Sequence, residues 1–119
     1  QHWHEVQEST AKVLNALYRA KKAHLPLLLC DMYRHMAISL ALLNQQPYTT
    51  FSTILEEALK LERIPDGFIA LTNKVAEGAF EDRAALQRLV EQVFTGLENH
   101  FSQLGLRLYD TDFAPPRIE

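Results

Sequence analysis

The chain has 119 residues, of which 47% are apolar and 23% charged, and its formal net charge is −3. This composition is typical of a soluble globular protein and excludes disordered, collagen-like and membrane-spanning chains. The length predicts one domain, residues 1–119, around one core, and the acidic balance disfavours nucleic acid as a partner.

Two helices are predicted in the first part of the chain. Apolar residues recur at helical spacing from Trp3 and predict an amphipathic helix over residues 2–22. No capping residue or turn precedes Trp3, so we expect further chain upstream. Pro26 is tolerated only in the first turn of a helix, which predicts a second helix over residues 25–44. This second helix is apolar nearly all round, as in a central helix or a subunit interface.

Three more helices are predicted from capping and turn residues. Thr53 and Glu56 form a capping-box pattern. Gly78 closes the fourth helix, and Asp82 caps a long amphipathic fifth helix. Short loops join these helices, so we predict an all-α, antiparallel up-and-down bundle of about five helices. The three helices cover residues 51–62, 67–77 and 82–104, and a short extended tail follows at 106–113.

The only cysteine, Cys30, lies inside an apolar run, so we expect a buried thiol. A single cysteine can form neither an intramolecular disulfide nor a cysteine zinc cluster. No secretory signal is recognisable, which predicts a cytoplasmic location.

The sequence lacks several motifs of self-contained catalysis. It has no glycine-rich phosphate loop, no HExxH, no GxSxG, and no Gly-Ser motif ahead of an Asp-x-Asp pair. We therefore expect no metal site in this chain and no phosphoryl or hydrolytic activity from this chain alone.

A polar stripe on the first helix is the best candidate for a functional site. It consists of His4, Glu5, Glu8 and Lys12, and the last two are four residues apart and so within contact distance. One interpretation is a solvated helix face with a single ion pair. The other is a carboxylate that acts as general base beside an ammonium group that orients a ligand or stabilises negative charge.

Two further clusters have a structural and a functional interpretation. Asp31, Arg34 and His35 interrupt the second helix, and we expect a buried, mutually satisfied ion pair, with a ligand or subunit contact as the alternative. Arg19 and His24 fit a loose Arg-x4-His pattern that resembles the ribonuclease motif of the HEPN superfamily of helical bundles. A basic helix end that complements the helix dipole is the simpler interpretation.

A spaced set of residues begins at Tyr48-Thr49-Thr50 and runs through the last helix. The set continues with Leu55, Glu57, Ala58, Lys60, Pro65, Gly67, Val75, Gly78, Asp82, Leu89, Val90, Glu91, Phe94, Gly96 and Gly105. This pattern resembles the C-terminal domain of kanamycin nucleotidyltransferase, in the aminoglycoside 4′-adenylyltransferase family. The resemblance extends from the first helix nearly to Asp110.

The resemblance implies a site on the first helix. Glu8 matches the family's general base, and Lys12 matches the lysine that contacts nucleotide phosphate and substrate. Glu5 matches one of two neighbouring acidic residues that recognise the cationic sugar, and His4 stands where the family has the other. Pro26 falls on a family proline.

The implied reaction is AMP transfer from ATP to a sugar hydroxyl. ATP and magnesium are expected only with an N-terminal catalytic domain, in the same chain or on another polypeptide. The bundle would then bind a sugar-like small molecule, form a homodimer and be inactive alone. The alternatives are a HEPN-like toxin or antitoxin protein, which acts on RNA or binds a partner, and an interaction module without a ligand.

Overall fold

The structure is a computed structural model that describes residues 2–19, 23–48 and 53–103. Within these ranges the chain forms five α-helices and no strand, which confirms the predicted all-α bundle. The tail predicted at residues 106–113 lies outside the described residues. The helices are α1 (His2–Tyr18), α2 (Leu25–Asn44), α3 (Ile54–Ala58), α4 (Phe68–Glu77) and α5 (Arg83–Gln103).

Helix α2 is the centre of the bundle and contacts the other four helices. Pro26 lies in its first turn, where its missing N–H leaves no helical hydrogen bond unmade. Gln45 ends the helix in the left-handed conformation, with φ 54°. The largest fully buried side chains of the bundle are Phe68, Leu29, Met32, Met36, Leu40, Leu71, Leu86, Leu97, Val6, Val13, Val90 and Val93.

Helix α1 runs antiparallel to α5. At its start, the ring of Trp3 stacks on Phe94 with the ring centroids 5.1 Å apart. At its end, the backbone carbonyl of Leu17 accepts a hydrogen bond of 3.1 Å from Arg83, the first residue of α5. These contacts at both ends of α1 therefore determine which side of the helix faces solvent.

A buried polar pair joins α2 to α4. Tyr33 and Thr72 share a hydrogen bond of 2.8 Å between their hydroxyl groups, and Thr72 also donates to the carbonyl of Phe68. The Tyr33 ring stacks on Phe68, with centroids 5.3 Å apart and ring planes 15° apart. Burial raises the pKa of Tyr33 to about 12, so its hydroxyl keeps its proton and its hydrogen bond.

Two helices are shorter than predicted. Helix α1 ends at Tyr18 instead of residue 22, because the chain must turn before α2 begins at Leu25. Residues 20–22 lie outside the described residues. Helix α3 has five residues, and the capping-box prediction is wrong. The Thr53 hydroxyl donates to the carboxylate of Glu57 and does not cap the helix.

The reason that α3 does not continue to residue 62 lies in the segment after it. The side-chain amide of Asn44 accepts from the backbone N–H of Arg63 at 2.8 Å and donates to its carbonyl at 2.9 Å. Both backbone groups of Arg63 are thereby satisfied outside a helix. The Asp82 cap, by contrast, is confirmed, since its carboxylate accepts from the N–H of Ala85 at 3.1 Å.

The connection between α3 and α4 packs against α5 at a glycine. A Cβ atom placed on Gly96 would lie 2.5 Å from the Cβ of Pro65. Pro65 is buried and its ring is rigid, so it cannot move aside as a long side chain would. The close approach therefore requires glycine in the interior of α5.

We expect Gly96→Ala to lower the free energy of unfolding by about 1–2 kcal/mol, because overpacking outweighs the better helix propensity of alanine. Urea denaturation monitored by circular dichroism measures this change. Thr95→Ala, at the exposed neighbouring position of the same helix, is the control and should leave stability unchanged or slightly raised. Equal stability of the Gly96 variant and wild type would contradict the expectation.

Candidate functional site

The polar stripe predicted on α1 is exposed along its whole length. His4, Glu5, Glu8 and Lys12 are all exposed. Neither Glu8 nor Lys12 forms an ion pair with a described residue, so both charges are open to solvent. The other side of the helix is held in the core by its buried residues, Trp3, Val6, Ser9, Thr10, Val13, Ala16 and Leu17.

Glu5 is the residue of the stripe that reaches α2. Its Oε1 lies 3.9 Å from Nε2 of His35, which is also 3.6 Å from Oδ1 of Asp31. Arg34 forms an ion pair of 3.2 Å with Asp31, and Nε2 of His2 forms a hydrogen bond of 2.9 Å with the carbonyl of His35. These five residues, which we call the α1–α2 polar cluster, tie one end of the stripe to the central helix.

His35 is less exposed than the two carboxylates that it approaches, Glu5 and Asp31, with 12% of its side chain accessible to solvent. Burial is the main cause that lowers its pKa, and the positive charges of Arg34 and His2 act in the same direction. The charges of Asp31 and Glu5 raise the pKa of His35, each by less than burial lowers it. The Nδ1 atom is buried and has no hydrogen-bond partner. The fold therefore favours a neutral His35.

We expect the stability of the protein to fall with acid because of His35. Below pH 6.5, the ordinary pKa of histidine, His35 takes up a proton in the unfolded chain but resists protonation in the folded chain. The free energy of unfolding therefore decreases as the pH falls through and below that value. His35→Gln should flatten this part of the curve, measured by urea denaturation from pH 8 to about pH 5. His4→Gln, at an exposed position, should keep the wild-type slope.

Two expectations about α2 are wrong. Asp31 and Arg34 do form an ion pair, but the pair is not buried, since 48% and 39% of the side chains are exposed. Cys30 is exposed as well. All three residues lie on a solvent-facing side of α2. When apolar residues occur on every side of a helix, the sequence does not indicate which side faces solvent.

Lys12 lines a groove between α1 and α2. The groove is open to solvent and has a volume of about 360 Å³. Leu27, which is 76% exposed, forms part of its apolar wall. Glu8 lies one turn before Lys12 on the same helix but is not among the groove residues. The lining consists of Lys12, Asn15, Ala16, His24, Leu27 and Leu28.

The Arg-x4-His pair is not assembled by a direct contact. Nε of Arg19 donates a hydrogen bond of 3.2 Å to the side chain of Asn15. His24 precedes the first residue of α2 and lines the groove. No hydrogen bond joins Arg19 to His24, and residues 20–22 between them lie outside the described part of the chain.

No group of three or more His, Cys, Asp or Glu side chains that could hold a metal ion occurs among the described residues. The sequence contains one Asp-x-Asp pair, Asp110 and Asp112, which no Gly-Ser precedes and which lies outside those residues. Helix α2 is long and apolar enough to cross a membrane by length and composition. Half of it is buried inside the bundle.

Sequence reasoning missed that His2 and His35 join the stripe. It treated Asp31, Arg34 and His35 as a cluster of α2 alone. A signal was present, because two consecutive helices joined by a short turn run antiparallel and place residues equally distant from the turn side by side. Counting outward from the end of α1 at Tyr18 and the start of α2 at Leu25 brings Glu5 opposite Ile38, one helical turn from His35.

One comparison with known proteins identifies a family for the chain. Comparison with curated proteins gives no match. The model of the KNTase C-terminal domain family matches residues 3–107, which cover the five helices except His2. The chain therefore belongs to the family of kanamycin nucleotidyltransferase (KNTase) C-terminal domains.

Proposed function

We propose that the chain is the substrate-binding and dimerisation domain of a cytoplasmic, aminoglycoside-type nucleotidyltransferase, which transfers AMP from ATP to a sugar hydroxyl. A catalytic domain, upstream in the same protein or on another polypeptide, completes the enzyme. The observation that carries the proposal is the exposed stripe of α1, in which Glu8 and Lys12 lie one turn apart without an ion pair to any described residue. Family membership supports the same reading.

Each residue of the stripe has a role in this proposal. The Glu8 carboxylate takes the proton from the sugar hydroxyl as it attacks the α-phosphate of ATP. The Lys12 ammonium neutralises phosphate charge, and pyrophosphate leaves. Glu5 and His4 bind the acceptor sugar, and a carboxylate such as Glu5 suits an acceptor that carries ammonium groups.

The position of Glu5 supports its part in acceptor binding. Its carboxylate is about half exposed, at 52%, yet it lies 3.9 Å from His35. A neutral His35 leaves the negative charge of Glu5 largely uncompensated, so a cationic ligand gains more from it. Lys12 lies at the other end of the stripe, beside the groove. The residue assigned to cation binding, Glu5, and the residue assigned to phosphate binding, Lys12, are therefore at opposite ends of the stripe.

The described residues do not fit a magnesium site, so the proposal assigns the metal to the catalytic domain and derives no step through it. The ribonuclease alternative has no observation of its own in its favour, since the guanidinium of Arg19 donates to Asn15 and forms no hydrogen bond with His24 among the described residues.

The test is AMP transfer by the reconstituted enzyme. The chain is joined to a nucleotidyltransferase catalytic domain of the same family, or mixed with it, and supplied with ATP, Mg²⁺ and kanamycin. We expect adenylylated kanamycin and pyrophosphate in equal amounts, and neither product from the chain alone or the catalytic domain alone. Saturable binding of kanamycin to the bundle, followed by calorimetry, is the second measurement. Absence of both transfer and binding would refute the proposal.

A further inference from the structure

We propose that His35 of α2 controls cation binding by Glu5 of α1 through a single proton on its Nε2 atom. A neutral His35 leaves the Glu5 carboxylate available to a cationic acceptor, and a protonated His35 pairs with that carboxylate in place of the acceptor. The inference rests on the proposed function and adds a regulation of the same site. His35 is a positioning residue in this inference, because it acts through Glu5.

The Nε2 atom of His35 has one donor and two acceptors around it. Nη2 of Arg34 lies 3.4 Å away, and a guanidinium group can only donate a hydrogen bond. Oδ1 of Asp31 and Oε1 of Glu5 lie 3.6 Å and 3.9 Å away, and an ionised carboxylate can only accept. Nε2 therefore accepts from Arg34 when it carries no proton, and donates to a carboxylate when it carries one. Glu5 reaches a charge-assisted hydrogen bond by an approach of about 1 Å.

The surroundings of the His35 ring confine this change to Nε2. The Nδ1 atom is buried and has no hydrogen-bond partner. The ring of His2 packs against that of His35, with the ring centroids 5.1 Å apart, and Nε2 of His2 is bonded to the His35 carbonyl. The charged and titratable groups that act on His35 are Glu5 and His2 of α1, and Asp31 and Arg34 of α2. All of them belong to the α1–α2 polar cluster.

The proton on His35 and a bound cation compete for the same carboxylate. Glu5 is 52% exposed, so a ligand can reach it from solvent. An ammonium group bound to its Oε1 would lie at most about 7 Å from Nε2 of His35. At that distance two positive charges repel each other appreciably beside a protein surface. Because coupling between two binding events is reciprocal, acid weakens cation binding and a bound cation lowers the pKa of His35.

The first test is the affinity of the 119-residue chain for cadaverine, a linear diamine, measured by calorimetry. Both amines of this probe stay charged from pH 8 to about pH 5, because the pKa of such amines is about 10.4. We expect the dissociation constant to rise about three- to tenfold over this range. His35→Gln should remove most of the rise. His24→Gln, at the groove end of the stripe, is the control and should keep it.

The second test is the titration of the His35 ring, followed by nuclear magnetic resonance. Glu5→Gln should lower the pKa of His35, because it removes a negative charge that favours the protonated ring. Saturation with cadaverine should lower the same pKa in wild type, but not in Glu5→Gln. Glu77→Gln, at the exposed end of α4, is the control and should leave the titration unchanged. This test does not depend on the folding of a His35 variant.

Three outcomes would overturn the inference. They are an affinity for cadaverine that is absent or independent of pH, a rise in the dissociation constant that His35→Gln retains in full, and a His35 titration that Glu5→Gln leaves unchanged. Neither test involves AMP transfer, so this coupling and the proposed activity are judged separately. A chain that couples Glu5 to His35 but transfers no AMP with a catalytic domain keeps the coupling and refutes the activity. Transfer by an enzyme in which the two residues titrate independently does the reverse.

Discussion

Phe68→Ala is expected to lower the free energy of unfolding by about 3–5 kcal/mol, a large part of the stability of a domain of this size. Phe68 is fully buried at the first position of α4. Its ring stacks on Tyr33, and its carbonyl accepts from Thr72, which is bonded in turn to Tyr33. Removal of the ring leaves a cavity beside this buried polar pair, because the hydrogen bonds hold α2 and α4 at their present separation.

Ile69→Ala is the matched control for Phe68. Ile69 is the next residue in the same helix but is 54% exposed, so its truncation should change stability by less than about 1 kcal/mol. Urea denaturation gives both values, and an unchanged m-value shows that the unfolded state is the same. A loss for Phe68→Ala no larger than that for Ile69→Ala would mean that α4 is not anchored at this ring.

The helices that sequence alone predicts well are those with strong local signals at both ends. Helix α2 has Pro26 in its first turn and Asn44 at its end, and its predicted bounds agree with the structure. Asp82 similarly marks the start of α5. Helix α3 was predicted too long, because the clamp of Asn44 on Arg63 is a contact between residues far apart in sequence. Capping patterns and periodicity contain no information about such contacts.

For the candidate site, periodicity predicts which residues share a side of α1, but not what lies opposite them. The exposure of Glu8 and Lys12 follows from the apolar residues behind them. The approach of His35 to Glu5 depends on how α1 and α2 are aligned, which the turn before Pro26 determines. The solvent-facing side of α2 is not predicted for a related reason: when apolar residues lie on all sides of a helix, the sequence does not indicate which side faces the core.

The two errors on α2 have a common physical meaning. Cys30 and the Asp31–Arg34 pair were expected to be buried because their neighbours in sequence are apolar. Their exposure means that Leu27 and Leu42, on the same side, are exposed to water as well. Leaving such side chains in water forgoes roughly 1.5–3 kcal/mol for each Leu. Burial of either leucine would therefore be favourable.

Glu8→Gln is expected to reduce the rate of AMP transfer by the complete enzyme by about 10²–10⁴-fold, the usual contribution of a general base. Glutamine keeps the size of the side chain but cannot take a proton from the acceptor hydroxyl. Glu8 is exposed and makes no ion pair with a described residue, so the substitution should leave the melting temperature unchanged. The effect should appear in kcat, with KM for the acceptor nearly unchanged, since acceptor recognition is assigned to Glu5 and His4.

Glu77→Gln is the control, because Glu77 is also an exposed helical glutamate but lies at the end of α4, outside the stripe. It should transfer AMP at the wild-type rate. A Glu8 variant as active as this control would remove the general base from α1, even if kanamycin still bound. A loss confined to KM would instead make Glu8 a binding residue, because a group that acts only on ground-state affinity leaves kcat unchanged. The kinetic split therefore decides between catalysis and binding for the same side chain.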